Sequence, residues 1–172
     1  MIRLMKLLAL LVAAGVVASC AGYHLGSVKP ASLTKVKTIA VPMFTNATLH
    51  PRAEALATSA VANAVVQDGT YRLTSVDRAD AVLEGKLSAI SYSAITNNRF
   101  DTLKPEELAN TVTIQWTLRD ARNPTHVLAT GVAFGSSQFS VAANLQTARN
   151  DALPDALERA SVSLVSSLAN GY

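Results

Sequence analysis

One cysteine, three histidines, one tryptophan and a charged fraction of only 16% leave this sequence of 172 residues short of most chemical apparatus. A lone thiol excludes an internal disulfide in any compartment, so stability has to come from a packed core. His24, His50 and His126 lie far apart in sequence, and with a single cysteine they form no group at metal-ligand spacing. Asp77 with Asp80, and Glu106 with Glu107, are the closest carboxylate pairs and read as solvated side chains. Gly135-Ser136-Ser137 lacks the flanking residues of a nucleophile elbow, and no histidine stands in a motif that would activate a serine. Lys and Arg form no stripe interleaved with aromatics, so nucleic acid is not an expected partner. Catalysis is not expected either, and neither a metal nor a dissociable cofactor is implied.

What is present begins with a targeting segment. Arg3 and Lys6 supply a positive start and Leu7 to Val17 an unbroken apolar run, the pattern of a signal peptide over residues 1–19. The run has 11 residues. A helix crossing the ~30 Å hydrocarbon core needs roughly 20. Val17-Ala18-Ser19-Cys20 resembles a lipobox, in which small residues precede a cysteine that is diacylated and becomes the amino terminus. Cys20 is then the lipidation site, and its diacylglycerol and N-acyl chains are the one covalent addition expected. Ala21 stands where an aspartate would signal retention at the inner membrane, so sorting to the outer membrane is favoured. Cleavage leaves 153 residues, and without Arg3 and Lys6 the basic residues fall from 15 to 13 against 12 acidic ones, a net charge of about +1. That length suits one domain with a sizeable core.

Residues 20–34 carry Gly22, Gly26, Ser27, Pro30 and Ser32 without periodicity, and are expected to form a lipidated tether to a single domain over 35–172. Ile39, Val41 and Met43 alternate with Thr38, Ala40 and Pro42, predicting a first strand with Pro42 at an edge or end. From Pro51 a helical stripe of Leu56, Ala57, Ala60, Val61, Ala64 and Val65 opposes Arg52, Ser59, Asn63 and Gln67, with Gly69 as its cap. Tyr71 to Val76 predicts a short strand. Asp80 to Thr96 predicts a longer one whose facing residues slip register near Ala89, which calls for a bulge. Asn97-Asn98 opens a turn or loop reaching about Pro105. Thr111 to Arg119 is the clearest strand, with Val112, Ile114, Trp116 and Leu118 facing a core and Thr111, Thr113, Gln115 and Thr117 facing water. Val127 to Val141 completes an antiparallel hairpin in which Gly131 and Gly135 are expected to mark bends. A last helix starts near Asp151 with Pro154 in its first turn, buries Leu153, Leu157, Ala160, Leu164 and Leu168, and stops at Gly171. Together these elements predict an α+β domain with two helices on one face of a mostly antiparallel, roughly four-stranded sheet.

Cys20-Ala21-Gly22-Tyr23, Val36-Lys37-Thr38-Ile39-Ala40-Val41-Pro42-Met43-Phe44-Thr45-Asn46 and Ala79-Asp80-Ala81-Val82-Leu83-Glu84-Gly85, in this order and spacing, resemble the lipopolysaccharide-assembly lipoprotein family LptE. The resemblance implies a small domain that sits inside the β-barrel of the outer-membrane translocon LptD, plugs it, helps it assemble and contacts lipopolysaccharide. A face rich in Thr and Gln suits the polar lumen of a large barrel. A lipopolysaccharide contact calls for a cation beside an apolar or aromatic group on a loop, and Arg99 and Phe100, with Lys104 nearby, answer that description. Ile39 to Phe44 followed by a helix also resembles lipoproteins with a TolB amino-terminal or CsgG-like domain, which bind periplasmic partners or form secretion pores. In a bacterial lipoprotein the glycosylation pattern Asn46-Ala47-Thr48 carries no weight.

Overall fold

The computed structural model describes residues 29–97, 105–141 and 144–171. In chain order these give β1 (Thr38–Ala40), β2 (Thr45–Asn46), α1 (Ala53–Asp68), β3 (Arg72–Leu73), β4 (Ala81–Asn97), β5 (Pro105–Asp120), β6 (Val127–Ser140) and α2 (Leu145–Asn170), with single 3-10 turns at Ala31–Leu33 and Val76–Arg78. The signal segment and Cys20 lie outside the described residues, as do Arg99, Phe100 and Lys104. Among the described residues no helix is long and apolar enough to cross a membrane.

The α+β class and the two helices are as expected, but the sheet is mixed and has six strands, not four in mostly antiparallel order. Its order is β3-β1-β4-β5-β6, with β2 also paired to β4. β1 runs parallel to both β3 and β4, and β2 runs parallel to β4. The expected first strand is interrupted because Pro42 has no N–H to give a ladder. The chain therefore pairs with β4 twice, through Ile39 and Ala40 and again through Thr45 and Asn46, and leaves the sheet between them. Met43, expected on the buried side, is 65% exposed in that detour while Phe44 is buried. The connection through α1 returns the chain in the same direction, which makes the β1–β3 pairing parallel.

Asp80 fastens the start of β4 to β1. Its Oδ2 accepts from the backbone N–H groups of Lys37 and Thr38 at 3.0 and 2.9 Å and from the Thr38 hydroxyl at 3.0 Å. Those donors, the Lys37 amide first, hold the carboxyl below the ordinary carboxylate range. The segment before β1 is packed too. Leu33 is buried in the core, and the Lys29 ammonium donates to the Val36 carbonyl and lies 4.3 Å from the centre of the Tyr71 ring.

Leu83 and Leu87 of β4, Val112, Ile114, Trp116 and Leu118 of β5 and Ala133 of β6 turn to one face of the sheet, and both helices cover it. The slip near Ala89 is present as a register shift between Leu87 and Ala89. α1 buries Ala53, Ala57, Val61, Ala64 and Val65, four of which belong to the expected stripe, while Ala60 is half-buried and Leu56 is 42% exposed at its margin. Gly69 ends α1 at φ 72° and Gly171 ends α2 at φ 78°, left-handed positions that glycine fills without a Cβ penalty. The Tyr71 hydroxyl donates to the Leu168 carbonyl at 2.8 Å, tying the approach to β3 to the end of α2. Burial first, and the Asp68 charge second, push that phenol up to about 12.

α2 begins two turns earlier than the apolar period predicts. Asn144 caps it by accepting from the N–H groups of Gln146 and Thr147 at 3.0 and 3.2 Å. No residue from Leu145 to Asp151 is buried, so these turns leave no apolar signature, and Pro154 falls inside the helix instead of in its first turn.

Candidate functional site: the open sheet face

Because helices cover one face only, β4, β5 and β6 expose the other in rows fixed by their register. The rows run Glu84–Thr117–Thr130, Lys86–Gln115–Val132, Ala89–Thr113–Phe134, Ser91–Thr111–Ser136 and Ser93–Ala109–Gln138. Thr111, Thr113, Gln115 and Thr117 thus share this face, as their alternation predicts. Charge lies at the two ends of the face, with Glu107 of the Thr96–Glu107–Ser140 row at one and Glu84, Lys86 and Arg119 at the other. Arg119 Nε meets Glu84 Oε2 at 2.9 Å and its Nη1 donates to the Pro124 carbonyl at 3.2 Å. Lys86 follows, and from the Ala89 row to the Ser93 row no residue is charged.

Elsewhere the face is largely hydroxyl-bearing, with Val132 and Phe134 as large apolar outliers. Ser88 Oγ donates to the Thr113 carbonyl at 3.1 Å, and the Thr117 and Thr130 hydroxyls lie 3.4 Å apart. Val132 and Phe134 are 50% and 61% exposed although a strand neighbour stands on one side only. Where the face meets the β1–β2 detour, Pro42, Met43, Thr45, Lys86, Gln115 and Val132 help line a groove of about 760 Å³. Such a face offers threonine and serine hydroxyls for hydrogen bonds and isolated apolar contacts, the mixture suited to lying against a polar, wet wall.

Gly131 and Gly135 do not mark bends. The β5–β6 register runs unbroken from Glu107↔Ser140 to Leu118↔Ala129. Both glycines instead make room on the helix side. A Cβ on Gly131 would lie 2.6 Å from Trp116 Cζ2, and one on Gly135 would lie 2.0 Å from the Ala156 carbonyl oxygen. Phe44 is accommodated over Gly85 in the same way.

On the helix side, the sheet is polar toward the end of β4 and the start of β5. Tyr92, Asn110 and Ser137 form one row across three strands. Ser137 Oγ donates to the Ala152 carbonyl at 2.7 Å, the Arg149 guanidinium lies 4.6 Å from the Tyr92 ring centre, and Phe139 meets that ring edge-on. Asn110 is fully buried, and among the described residues neither of its side-chain atoms has a partner, nor do Tyr92 Oη and Arg149 Nε. Burial raises the Tyr92 phenol above its ordinary range, with Arg149 offsetting part of the rise. Sequence reading missed this cluster. Its one signal was Asn110, a polar residue on the parity otherwise occupied by Leu108, Val112 and Ile114.

Among the other residues weighed, His50 is spent on structure, its ring nitrogens 3.3 Å from the Pro51 carbonyl and 3.2 Å from Asn150 Oδ1. Asn46 is likewise engaged, donating to the His50 carbonyl and to Glu54 Oε2 at 2.8 and 2.9 Å. Ser136 and Ser137 lie mid-strand, away from any elbow. Among the described residues no three His, Cys, Asp or Glu side chains gather where a metal could bind.

Comparison with solved structures places the fold among small bacterial proteins. A hypothetical protein of Chlamydia trachomatis is 8% identical, with 80% of this chain and 99% of that one covered at a TM-score of 0.54. A protein of Xanthomonas campestris is 14% identical, with 79% and 86% covered at 0.53. A minor lipoprotein of Acinetobacter baumannii is 7% identical, with 78% and 93% covered at 0.52. These likenesses speak for the fold alone. No curated protein matches the chain at comparable significance. The LptE family, described as lipopolysaccharide-assembly, matches residues 36–168, from just before β1 to the last turn of α2. Over that span the chain has the family's pattern from end to end, and it belongs to the LptE family of lipopolysaccharide assembly.

Proposed function

We propose that this chain is an outer-membrane lipoprotein, anchored through acyl chains on Cys20, whose domain occupies the lumen of an LptD-type β-barrel as its plug and assembly factor. The single observation that carries the reading is the family match over residues 36–168. The open face of β4, β5 and β6 supports it, because a surface of Thr, Ser and Gln with charge at its two ends suits a water-lined barrel interior better than lipid. The work is binding and assembly: the domain fills the barrel and presents the loop of residues 98–104, where Arg99 and Lys104 meet lipopolysaccharide phosphates and Phe100 meets an acyl chain. The closing test is an affinity pull-down of the tagged, lipidated chain from detergent-solubilised envelopes, followed by mass spectrometry. One large β-barrel recovered at equal stoichiometry is the expected result. Recovery of soluble periplasmic proteins alone would overturn it and favour a TolB-like or CsgG-like role.

A further inference from the structure

We propose that the outer edge of β6, which no described strand pairs, takes up a seventh strand from the barrel partner, an extended loop or arm that is not part of the barrel wall and carries a Lys or Arg toward α2. The proposal rests on the plug reading above. β6 ends the sheet order and is 14 residues long, whereas the opposite edge, β3, has two. Proteins blunt exposed edges with charge, proline, a bulge or shortness, since unpaired N–H and C=O groups recruit any passing strand. From Ala129 to Ser140, beyond the register shift at its start, β6 uses none of these devices. From Val127 to Ser140 there is no Asp, Glu, Lys, Arg or Pro, and its register against β5 is regular from Ser140 to Ala129. α2 shields the inner side of the strand at Gly135 and the turn at Ala31–Leu33 packs near its start, but among the described residues no strand pairs with its outer edge.

The chemistry of the surroundings selects the occupant. Between the end of β6 and the first turns of α2 lies a groove of about 450 Å³ lined by Gln138, Ser140, Thr147, Asp151 and Asp155. Among the described residues neither aspartate belongs to an ion pair. A strand added here meets uncharged neighbours on the open face, where Val132 and Phe134 stand half-exposed or more, and two carboxylates on the helix side. A second copy of this chain would offer its own β6, which has no cation to face Asp151 and Asp155. A closed barrel wall has its backbone groups already paired, so it has no strand to give. A loop or arm of the barrel protein, bearing Lys or Arg, satisfies both demands by strand addition.

The test uses the full lipidated chain in envelopes. Val132→Pro and Ala133→Pro remove neighbouring N–H groups, one directed at β5 and the other away from it, and circular dichroism identifies the variant that keeps the fold. That variant, and independently Asp151→Lys with Asp155→Lys, should lower recovery of the barrel at least tenfold, while Asn63→Lys on exposed α1 leaves it unchanged. A photo-crosslinking residue at Gln138 should capture a non-wall segment of the barrel protein. Undiminished recovery with the edge blocked refutes strand addition and leaves the plug intact. Capture of a second copy at Gln138 likewise refutes it, and loss of the barrel from the unmodified chain removes both readings.

Discussion

Replacing Gly135 by Ala tests how closely α2 is seated on the sheet. The added Cβ would stand 2.0 Å from the Ala156 carbonyl oxygen, 2.3 Å from the Ala160 nitrogen and 2.9 Å from its Cα. All three are backbone atoms, so no side chain can swing aside. Restoring ordinary contact at 3.4 Å from the present 2.0 Å requires the helix or strand to move by about 1.4 Å. The burial of Leu153, Leu157 and Leu164 depends on that seating. Overpacking of this kind costs about 1–3 kcal/mol. For a domain of this size ~2 kcal/mol lowers the melting temperature by roughly 4–8 °C. Thermal denaturation followed by circular dichroism reads the shift. Gly69→Ala is the comparison, since its Cβ would meet nothing within 4 Å and only the left-handed backbone opposes it. Adding Ala160→Gly should not rescue Gly135→Ala, because the clash is with main chain. A Gly135→Ala protein as stable as wild type, or one restored by Ala160→Gly, would refute the seating argument.

Tyr71→Phe leaves the buried Leu168 carbonyl without its donor and should cost about 1–2 kcal/mol in urea denaturation. Because the folded phenol is raised to about 12, its contribution is complete below the ordinary tyrosine value near 10 and is lost as pH rises through the folded one, so wild type but not the Phe variant should show that alkaline limb. Asp80 runs the other way: its folded carboxyl is depressed, so its contribution is present above the ordinary carboxylate range and lost as pH falls through the folded value. Asp80→Asn should therefore lower the melting temperature at pH 7 and flatten its acid dependence, and an unchanged profile would remove Asp80 from the β1–β4 junction. Arg99→Glu with Lys104→Glu should reduce lipopolysaccharide binding at least tenfold in a direct assay with no change in melting temperature; equal binding would rule out the loop contact. Cys20→Ser should abolish incorporation of labelled palmitate and release the chain from the membrane fraction, and retention of both would exclude the lipobox.

How much was legible in advance differs from element to element. β5 was read in full along its core, since strict alternation from Val112 to Leu118 encodes which face is wet wherever one side is buried. The bulge after Leu87 was legible as a slip of parity, and Gly69 and Gly171 as caps, because each signal resides in a few consecutive residues. Pro42 showed that the first strand was in trouble but not where the chain would go next. Partial burial hid other features. The first turns of α2 bury no residue fully, so they carry no apolar period, and Asn110, fully buried at the centre of a polar row, was not singled out because one polar residue on a core parity does not show what surrounds it.

By itself the sequence determined the α+β class, the two helices, the antiparallel β5–β6 hairpin and the wet Thr and Gln face of β5, all set by local periodicity and local backbone preference. Only the tertiary structure decided that β1 and β2 meet β4 as separate parallel strands, that Gly131 and Gly135 clear space for Trp116 and α2, and that β6 ends the order of the described strands beside Asp151 and Asp155. Those outcomes depend on which distant segments come together, and a contact between residues far apart in sequence leaves no mark on the spacing of either.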